Sequence, residues 1–525
     1  MQNEDTNKSQ NPTGEIPKAV TLSNNEIAYD IWIFGYDKSE NPILKGLYRY
    51  GILQRLIAMG YMKRIRENNS YLFIQEQENI ISVAEPLNMK DDAFGYVQKN
   101  SKPLEFRHIN YCIIVPPEKF KEVFLRQSHL VFNEKFLEQL PTHIKPILKD
   151  EKKAAHFFFN NCIVKVTANR LETIEYSQIT ETCIWKTHIR KRTFHYTSEF
   201  NNCHYSKFIR NVTNDEEDRC IAFKTAIGHL LHNFCSPTKS QAVIGYDEEI
   251  TDLKNPQGGT GKGLFGNAIK ELRDVEIIDG KNIKKDSQFK FQKITDHTQM
   301  VFIDDINPEI GFEMFYSCLT DGWTIEPKHK PQFFIKPVDS PKMFLTCNAI
   351  LKGGGTSNKR RQFPIEFSNH YSKKIKQGNE EPIKEEHGCV FFDEDDWTEL
   401  EWNMFYSFML DCVALYLQNG LKTYTHHNID SNKLIQATSD DFSEWIEEQN
   451  FELDVDYNMH EMFEKFKQTY YGEMSDFKAR GFTNWLKKFA ASKGWKMKIK
   501  RSNSISSFRF EALRREEPIK DEYMF

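Results

Sequence analysis

Apolar residues recur along the chain at two spacings, one helical and one alternating, and these spacings predict its elements. Between residues 47 and 57 the apolar positions follow a helical period, and Gly60 is of the type that commonly ends a helix. The segments MKRIR and SYLFI follow, joined by a polar turn at 67–70, and predict a hairpin. We therefore expect a helix and then a two-stranded wing near the N terminus.

The same order of elements recurs near the C terminus. The segment FTNWLKKFAASK has a helical period, Gly494 ends it, and the strands WKMKIK and SSFRF flank the turn RSNS. In the first of these strands, lysines alternate with apolar residues and so face the opposite way. A helix followed by a wing is typical of a winged helix, and we expect one such module at each end. For the N-terminal one, an unrelated helix–hairpin unit is an equally good interpretation.

The central part of the chain changes its pattern twice. Short alternating runs over 111–200 predict a β-rich region, and residues 205–235 have a helical period. From about 240 to 370, apolar strands alternate with helices, which is the pattern of a parallel-sheet α/β domain. An amphipathic helix is predicted over 397–421, ending at Gly420. The fold class predicted is a multidomain α/β protein with a parallel-sheet core, a flanking α+β domain and winged-helix-like terminal modules.

These patterns divide the chain into eight segments. They are a flexible arm (1–25), a winged-helix-like N-terminal module (26–110), a β-rich linker domain (111–200), a helical block (201–238), the parallel-sheet core (239–375), a helical extension (376–425), a linker (426–445) and a winged-helix-like C-terminal module (446–525).

Composition narrows the class of protein. Hydrophobic residues make up 39% of the 525 residues and aromatic residues 13%, which indicates buried cores rather than a disordered chain. The apolar runs are all far shorter than the roughly 20 residues that cross a bilayer, and the polar start has no signal-peptide core, so we expect no membrane partner and a cytoplasmic location. The net charge of -5 coexists with basic segments at 185–192 and 484–501, so any contact with nucleic acid should be local.

A glycine-dense turn is the first candidate for chemistry. The apolar strand at 242–244 is followed by NPQGGTGKGLFG, in which consecutive backbone N–H groups can point into one concavity at the start of a helix. Such a nest binds phosphate, and a lysine in it can reach the β- and γ-phosphates. We expect ATP to bind here through Gly258, Gly259, Thr260, Gly261, Lys262 and Gly263.

Two further apolar strands end in polar residues. Residues 300–303 lead into Asp304 and Asp305, and residues 342–347 lead into Asn348. One carboxylate can hold Mg²⁺, for which we choose Asp304, and the other can polarise the attacking water, while the amide can bond that water without adding charge. Arg360 and Arg361 follow on a Gly-rich turn that we expect to be exposed, where a cation offered to a neighbouring subunit can stabilise charge on the transferred phosphoryl group.

The order and close spacing of these motifs resemble superfamily III helicases, whose core is a P-loop ATPase of the AAA-plus-like kind. The chain looks most like the helicase portion of phage, plasmid and poxvirus-type primase-helicases over about residues 150–425. The resemblance implies that GWTIEPKHKPQFFIKP forms a hairpin lining a ring channel, so that Lys328, His329 and Lys330 grip DNA. The chain departs from the phosphate-loop pattern at Pro256 and at Gly263, which stands where a Mg²⁺-binding hydroxyl is expected, and this predicts weaker metal binding.

The resemblance predicts an ATP-dependent DNA helicase that replicates a phage or plasmid. It implies a homo-hexameric ring moving on single-stranded DNA, forked DNA as a partner, and possible contacts with other replication proteins. The alternative is a nucleotide-binding replication initiator or scaffold with weak or no hydrolysis, and an RNA-directed helicase of the same superfamily stays open. A D-x-D strand, expected of a priming half, does not occur before residue 240, so we do not expect priming activity. Phosphate contacts in the C-terminal module are expected from Lys487, Lys488, Lys496, Lys498 and Lys500.

Overall fold

The structure is a computed structural model of the chain. It describes residues 19–512 apart from 24, 68, 100–101, 109–110, 237–239, 250–258, 285, 308, 352–354, 430–433, 435–437, 471–476 and 503–504.

The N-terminal module contains two antiparallel sheets, a separate hairpin and packed helices. Strands β1 to β4 form a meander in sequence order, β5 to β7 form a second sheet, and β8 pairs with β9. The elements are β1 (Val20–Ser23), β2 (Glu26–Tyr29), β3 (Trp32–Tyr36), β4 (Pro42–Leu47), α1 (Arg49–Ala58), β5 (Tyr61–Ile65), β6 (Tyr71–Gln77), β7 (Ile80–Ala84), α2 (Pro86–Gln98), β8 (Leu104–His108), β9 (Tyr111–Val115), α3 (Pro117–Gln127) and α4 (Glu134–Leu137).

The predicted helix α1 and hairpin β5–β6 are present in this module, but its surroundings differ from the prediction. The meander β1–β4 precedes α1, and β1 lies inside the segment expected to be a flexible arm. The expected division between 110 and 111 separates β8 from its partner β9. Helix α3 also lies in the region expected to be β-rich, because Phe120, Val123 and Phe124 at helical spacing pack into the same core as Ile52 and Leu56.

The middle region adds a small sheet and two helices. Strands β10 (Ala154–Phe158), β11 (Ile163–Thr167) and β12 (Leu171–Ile174) pair antiparallel in sequence order, and β13 (Ile184–Trp185) runs parallel to β7. Helices α5 (His204–Val212) and α6 (Glu217–Leu231) follow. Because β13 completes a sheet of the N-terminal module, the two regions share structure rather than meeting only at a linker.

The core is a five-stranded parallel sheet, which confirms the predicted parallel-sheet α/β class. Its strand order is β15-β16-β19-β14-β20. The elements are β14 (Ala242–Asp247), α7 (Lys262–Lys270), β15 (Val275–Asp279), β16 (Met300–Asp304), α8 (Tyr316–Thr320), β17 (Trp323–Ile325), β18 (Phe333–Ile335), β19 (Lys342–Thr346), α9 (Gly355–Arg361) and β20 (Gln362–Phe367).

Both faces of this sheet are buried, as its continuous apolar strands require. On β14, Val243 packs into one hydrophobic cluster while Ala242 and Ile244 pack into another on the opposite face. Strand β14 lies between β19 and β20, and β16 lies on the other side of β19. Because all five strands are parallel, the carboxyl ends of β14, β16 and β19 lie at the same edge of the sheet.

The helical extension covers one face of the core, and a separate module follows. The elements are α10 (His370–Lys376), α11 (Pro382–His387), α12 (Glu399–Asn419), α13 (Asp440–Glu448), β21 (Asp456–Asn458), α14 (Met459–Tyr470), α15 (Ala479–Ser492), β22 (Trp495–Ser502) and β23 (Ile505–Ala512). Strand β23 lies between β21 and β22. The predicted helix and wing correspond to α15, β22 and β23, but the core of this module begins earlier than residue 446, because Leu434 and Phe442 are buried in it.

Among the residues that the structure describes, no helix is both long and apolar enough to span a membrane.

Candidate functional site

An open cleft lies at the carboxyl edge of the parallel sheet, where β14, β16 and β19 end. Its volume is about 570 Å³. One side is lined by the glycine turn and the strand-end polar residues, namely Gly259, Thr260, Gly261, Lys262, Gly263, Asp304, Asp305, Thr346 and Asn348. Segments separated by more than forty positions in the sequence therefore meet at one place.

The glycine turn needs its glycines for conformation and for space. Gly259 and Gly261 have φ values of 93° and 100°, which other residues adopt only with strain. A Cβ atom at Gly261 would lie 2.7 Å from the Phe208 ring. Gly261 caps the N terminus of α7, so the first backbone N–H groups of that helix are directed at the cleft. Gly258 lies outside the described residues.

Lys262 is held at the floor of the cleft. Only 9% of the residue is exposed. Its ammonium group donates to the Asp247 carboxylate and to Asn348 Oδ1, the latter at 2.9 Å. Asp247 also accepts from Thr260 Oγ1 at 2.6 Å. Asp247 was not predicted from the sequence, although it is the last residue of an apolar strand, which was a usable signal.

The two adjacent aspartates are oriented by a threonine on the neighbouring strand. Thr346 Oγ1 donates to Asp304 Oδ1 at 2.6 Å and accepts from the Asp305 backbone N–H at 2.7 Å. Asp305 has a φ of 55° and accepts from Asn348 Nδ2 at 2.7 Å. Its second oxygen pairs with Lys281, and this contact raises the pKa of that exposed lysine. Thr346 and Lys281 were not predicted from the sequence.

The carboxylates of the cleft would hold a metal ion only together with oxygen atoms from water or from a bound phosphate. The described residues contain no group of three or more His, Cys, Asp and Glu side chains arranged to hold a metal ion. Asp304 and Asp305 offer carboxylate oxygens, which suit Mg²⁺ bound through one or two carboxylates together with waters and phosphate oxygens. At Gly263, which is half-buried and lines the cleft, an added Cβ would meet nothing within 4 Å.

The other side of the cleft combines apolar and charged residues and was not predicted from the sequence. It is formed by α10, α11, the loop between them and the segment after α11, namely Ile375, Glu380, Glu381, Pro382, Ile383, Lys384, Cys389, Val390 and Phe391.

Arg360 and Arg361 do not line the cleft. They lie in the last turn of helix α9 rather than on the exposed turn expected from the sequence. Arg360 is exposed. Arg361 is half-buried, with its guanidinium 4.7 Å from the centre of the Tyr316 ring and one N–H donating to Ser357 O at 3.2 Å. Arg360 is therefore the more accessible of the two arginines.

Lys328, His329 and Lys330 lie together at the tip of the hairpin formed by β17 and β18. The base of the hairpin is anchored by Trp323, whose ring centre is 4.9 Å from that of Phe291. Lys330 pairs with Glu85 of the N-terminal module at 3.1 Å. The expected hairpin is present, and its tip contacts Glu85, the extended residue that precedes helix α2.

The lysines of the C-terminal module lie on two elements, with Lys487 and Lys488 on α15 and the rest on β22. Lys498 pairs with Glu511 at 2.7 Å, and Lys500 lies 3.8 Å from Asp456. Lys496 is also on the exposed side of β22.

Comparisons with known proteins give weak likenesses. No family model matches the chain, and no curated protein matches it. A solved structure described as the A form apo structure of the NrS-1 C-terminal region is 12% identical, covers 88% of this chain and 98% of its own, and has a TM-score of 0.37. A second structure of that region is 11% identical, covers 88% of this chain and 99% of its own, and has a TM-score of 0.38. A JCV helicase with a bound small molecule is 12% identical, covers 51% of this chain and 65% of its own, and has a TM-score of 0.24. Likenesses at these TM-scores support no conclusion about this chain. The function proposed below follows from the geometry of the cleft.

Proposed function

We propose that the protein is an ATP-dependent DNA helicase whose P-loop core is of the superfamily III type. One observation supports this proposal above the others. Lys262 donates to Asn348, and Asn348 donates to Asp305, so that these side chains and Asp304 lie together at the N terminus of α7. A cation, an amide and two carboxylates at one helix N terminus match the needs of phosphoanhydride hydrolysis.

Each group has a separate task in this proposal. The N–H groups of the glycine turn and Lys262 bind the β- and γ-phosphates. Asp304 holds Mg²⁺ with waters and phosphate oxygens, and Asp305 with Asn348 orients the attacking water. Lys262 must then exchange its contact with Asp247 for a contact with phosphate.

The motor function rests on groups outside the cleft. In a homo-hexameric ring, Arg360 would reach the triphosphate of the adjoining subunit, and the tip of the β17–β18 hairpin would contact single-stranded DNA. The C-terminal module has the helix–strand–helix–helix–wing order of a winged helix and would bind forked DNA or other replication proteins. We place this activity in the replication of a phage or plasmid, in the cytoplasm of the host.

One observation favours a second candidate. Gly263 offers no hydroxyl to the metal, and this suits a replication initiator or scaffold that binds ATP with little hydrolysis. Asp305 and Asn348 support the helicase instead, because a protein that only binds nucleotide does not need to orient a water.

Phosphate release, measured with and without single-stranded DNA, tests the proposal. Lys262→Ala should abolish hydrolysis in both conditions. Lys328→Ala should keep basal hydrolysis and lose the stimulation by DNA, whereas Lys119→Ala, on the remote helix α3, should behave like the original protein. Nucleotide binding with no hydrolysis at any Mg²⁺ concentration would favour the initiator, and unchanged hydrolysis in Lys262→Ala would refute both candidates.

A mixing experiment tests the role of Arg360 across subunits. Arg360→Ala and Lys262→Ala should each be inactive alone. Their mixture should regain part of the activity, because some interfaces then combine an intact Lys262 with an intact Arg360 of the partner. A mixture that stays inactive would contradict action between subunits.

A further inference from the structure

Both oxygen atoms of the Asp305 carboxylate contact other side chains of the chain. Oδ1 accepts from Asn348 Nδ2 at 2.7 Å, and Oδ2 pairs with the ammonium group of Lys281. The side chain of Asp305 is 32% exposed and that of Lys281 is 70% exposed, and Lys281 lies outside the lining of the cleft. The ion pair therefore stands at the outer rim of the cleft, on the solvent side of Asp305.

The turn that bears Lys281 is fixed at its first residue. It follows β15, the edge strand that runs beside β16, and the last residue of β15, Asp279, lies opposite Asp304 in the parallel pairing. Asp279 Oδ1 accepts from the Lys281 backbone N–H at 3.0 Å and so caps a short 3-10 turn over residues 280–282. The backbone of Lys281 is thus held beside the end of β16.

Gly280 allows this turn to approach the end of β16 closely. A Cβ atom at Gly280 would lie 2.7 Å from the backbone oxygen of Asp304 and 2.7 Å from the backbone nitrogen of Ile306. Backbone atoms cannot move aside as the end of a flexible side chain can, so only glycine fits here without a shift of the chain. The contact between Lys281 and Asp305 therefore depends on the path of the backbone as well as on a flexible side chain.

Asp305 has little freedom to present another oxygen to a water. Its backbone, with φ at 55°, is held by the bond from its N–H to Thr346 Oγ1 at 2.7 Å. Asn348 holds Oδ1, so a water oriented by this carboxylate must reach Oδ2, the oxygen that pairs with Lys281. An ionised carboxylate only accepts hydrogen bonds, and a water at this oxygen competes with a cation for it.

We propose that Lys281 is a positioning residue that restrains Asp305 and keeps the hydrolysis of ATP slow in the free protein. This inference rests on the proposed function, because it assumes that Asp305 orients the attacking water. It adds an inhibitory contact that lies outside the glycine turn and the lining of the cleft. The contact acts on the water and not on the phosphates, so it should change the rate of turnover without changing the affinity for nucleotide.

Steady-state hydrolysis by the full chain without DNA, together with binding of a fluorescent ATP analogue, tests this restraint. Lys281→Met removes the charge and keeps a side chain of similar length, and it should raise kcat about threefold, the size expected when an exposed ion pair is lost. KM and the affinity for the analogue should stay unchanged. Lys281→Arg keeps the charge and should keep the kcat of the original protein. Lys284→Met, at an exposed lysine of the same segment, is the matched control and should change none of the three quantities.

The outcomes separate this inference from the proposed function. If Lys262→Ala abolishes hydrolysis while Lys281→Met has an unchanged or lower kcat, the restraint is refuted and the proposed function stands. A higher KM and weaker binding of the analogue in Lys281→Met would assign Lys281 to the phosphates and would also overturn the restraint. If neither the original protein nor Lys281→Met hydrolyses ATP, the proposed function fails, and this inference fails with it.

Discussion

Restoring a hydroxyl at Gly263 should strengthen metal binding. A Cβ at this position meets nothing within 4 Å, and the residue is the second of helix α7, so serine fits without displacing a neighbour. Replacing one water of the metal by a positioned hydroxyl is worth about 1 kcal/mol, which corresponds to about fivefold in affinity. Gly263→Ser should therefore lower the Mg²⁺ concentration that gives half-maximal phosphate release by about that factor.

The same substitution also stabilises the helix, and a second variant separates the two effects. Serine is about 0.5 kcal/mol better than glycine inside a helix, and alanine about 1 kcal/mol better. Gly263→Ala should thus raise the unfolding temperature at least as much as Gly263→Ser while leaving the Mg²⁺ titration unchanged. If the alanine variant shifts the titration equally, or if the serine variant does not shift it, the reasoning that Gly263 weakens metal binding is wrong.

Three further predictions concern other parts of the molecule. Burial lowers the pKa of His387 from 6.5 to about 4, so its contribution to stability is complete above pH 6.5 and is lost as the pH falls towards 4. At about pH 5 the free energy of unfolding should be lower by about 2 kcal/mol than at pH 7. In His387→Gln the urea midpoint should therefore fall less between about pH 7 and pH 5 than in the original protein, and an equal fall would contradict this assignment. Glu85→Gln should change the free energy of unfolding by less than about 1 kcal/mol, since Glu85 and Lys330 are 59% and 67% exposed. The same variant should bind single-stranded DNA more tightly in an anisotropy titration, and an unchanged affinity would mean that the ion pair does not restrain Lys330. Lys496→Ala should reduce the slope of log affinity for duplex DNA against log salt by about 0.9, and an unchanged slope would place that phosphate contact elsewhere.

The strand-end chemistry could be predicted because apolar runs mark buried strands and their ends. Asp304 and Asn348 each stand at the end of such a run, and Lys262 follows another run after the glycine-dense turn. A parallel sheet brings the carboxyl ends of its strands to one edge. What the sequence could not supply was the lateral order of the strands. In that order β19, which ends at Thr346, lies between β16, which ends at Asp304, and β14, which leads to Lys262. The neighbours β14 and β19 are separated by 94 residues of the sequence, 248–341.

Domain limits were harder to predict, because local periodicity does not indicate which core a segment joins. Phe120 and Phe124 have a clear helical spacing, yet only the folded chain shows that they pack with residues before 110. Strand β13 has two residues and pairs with β7 about a hundred positions earlier. Pairings of such separation leave no signal in a window of ten to eighteen residues.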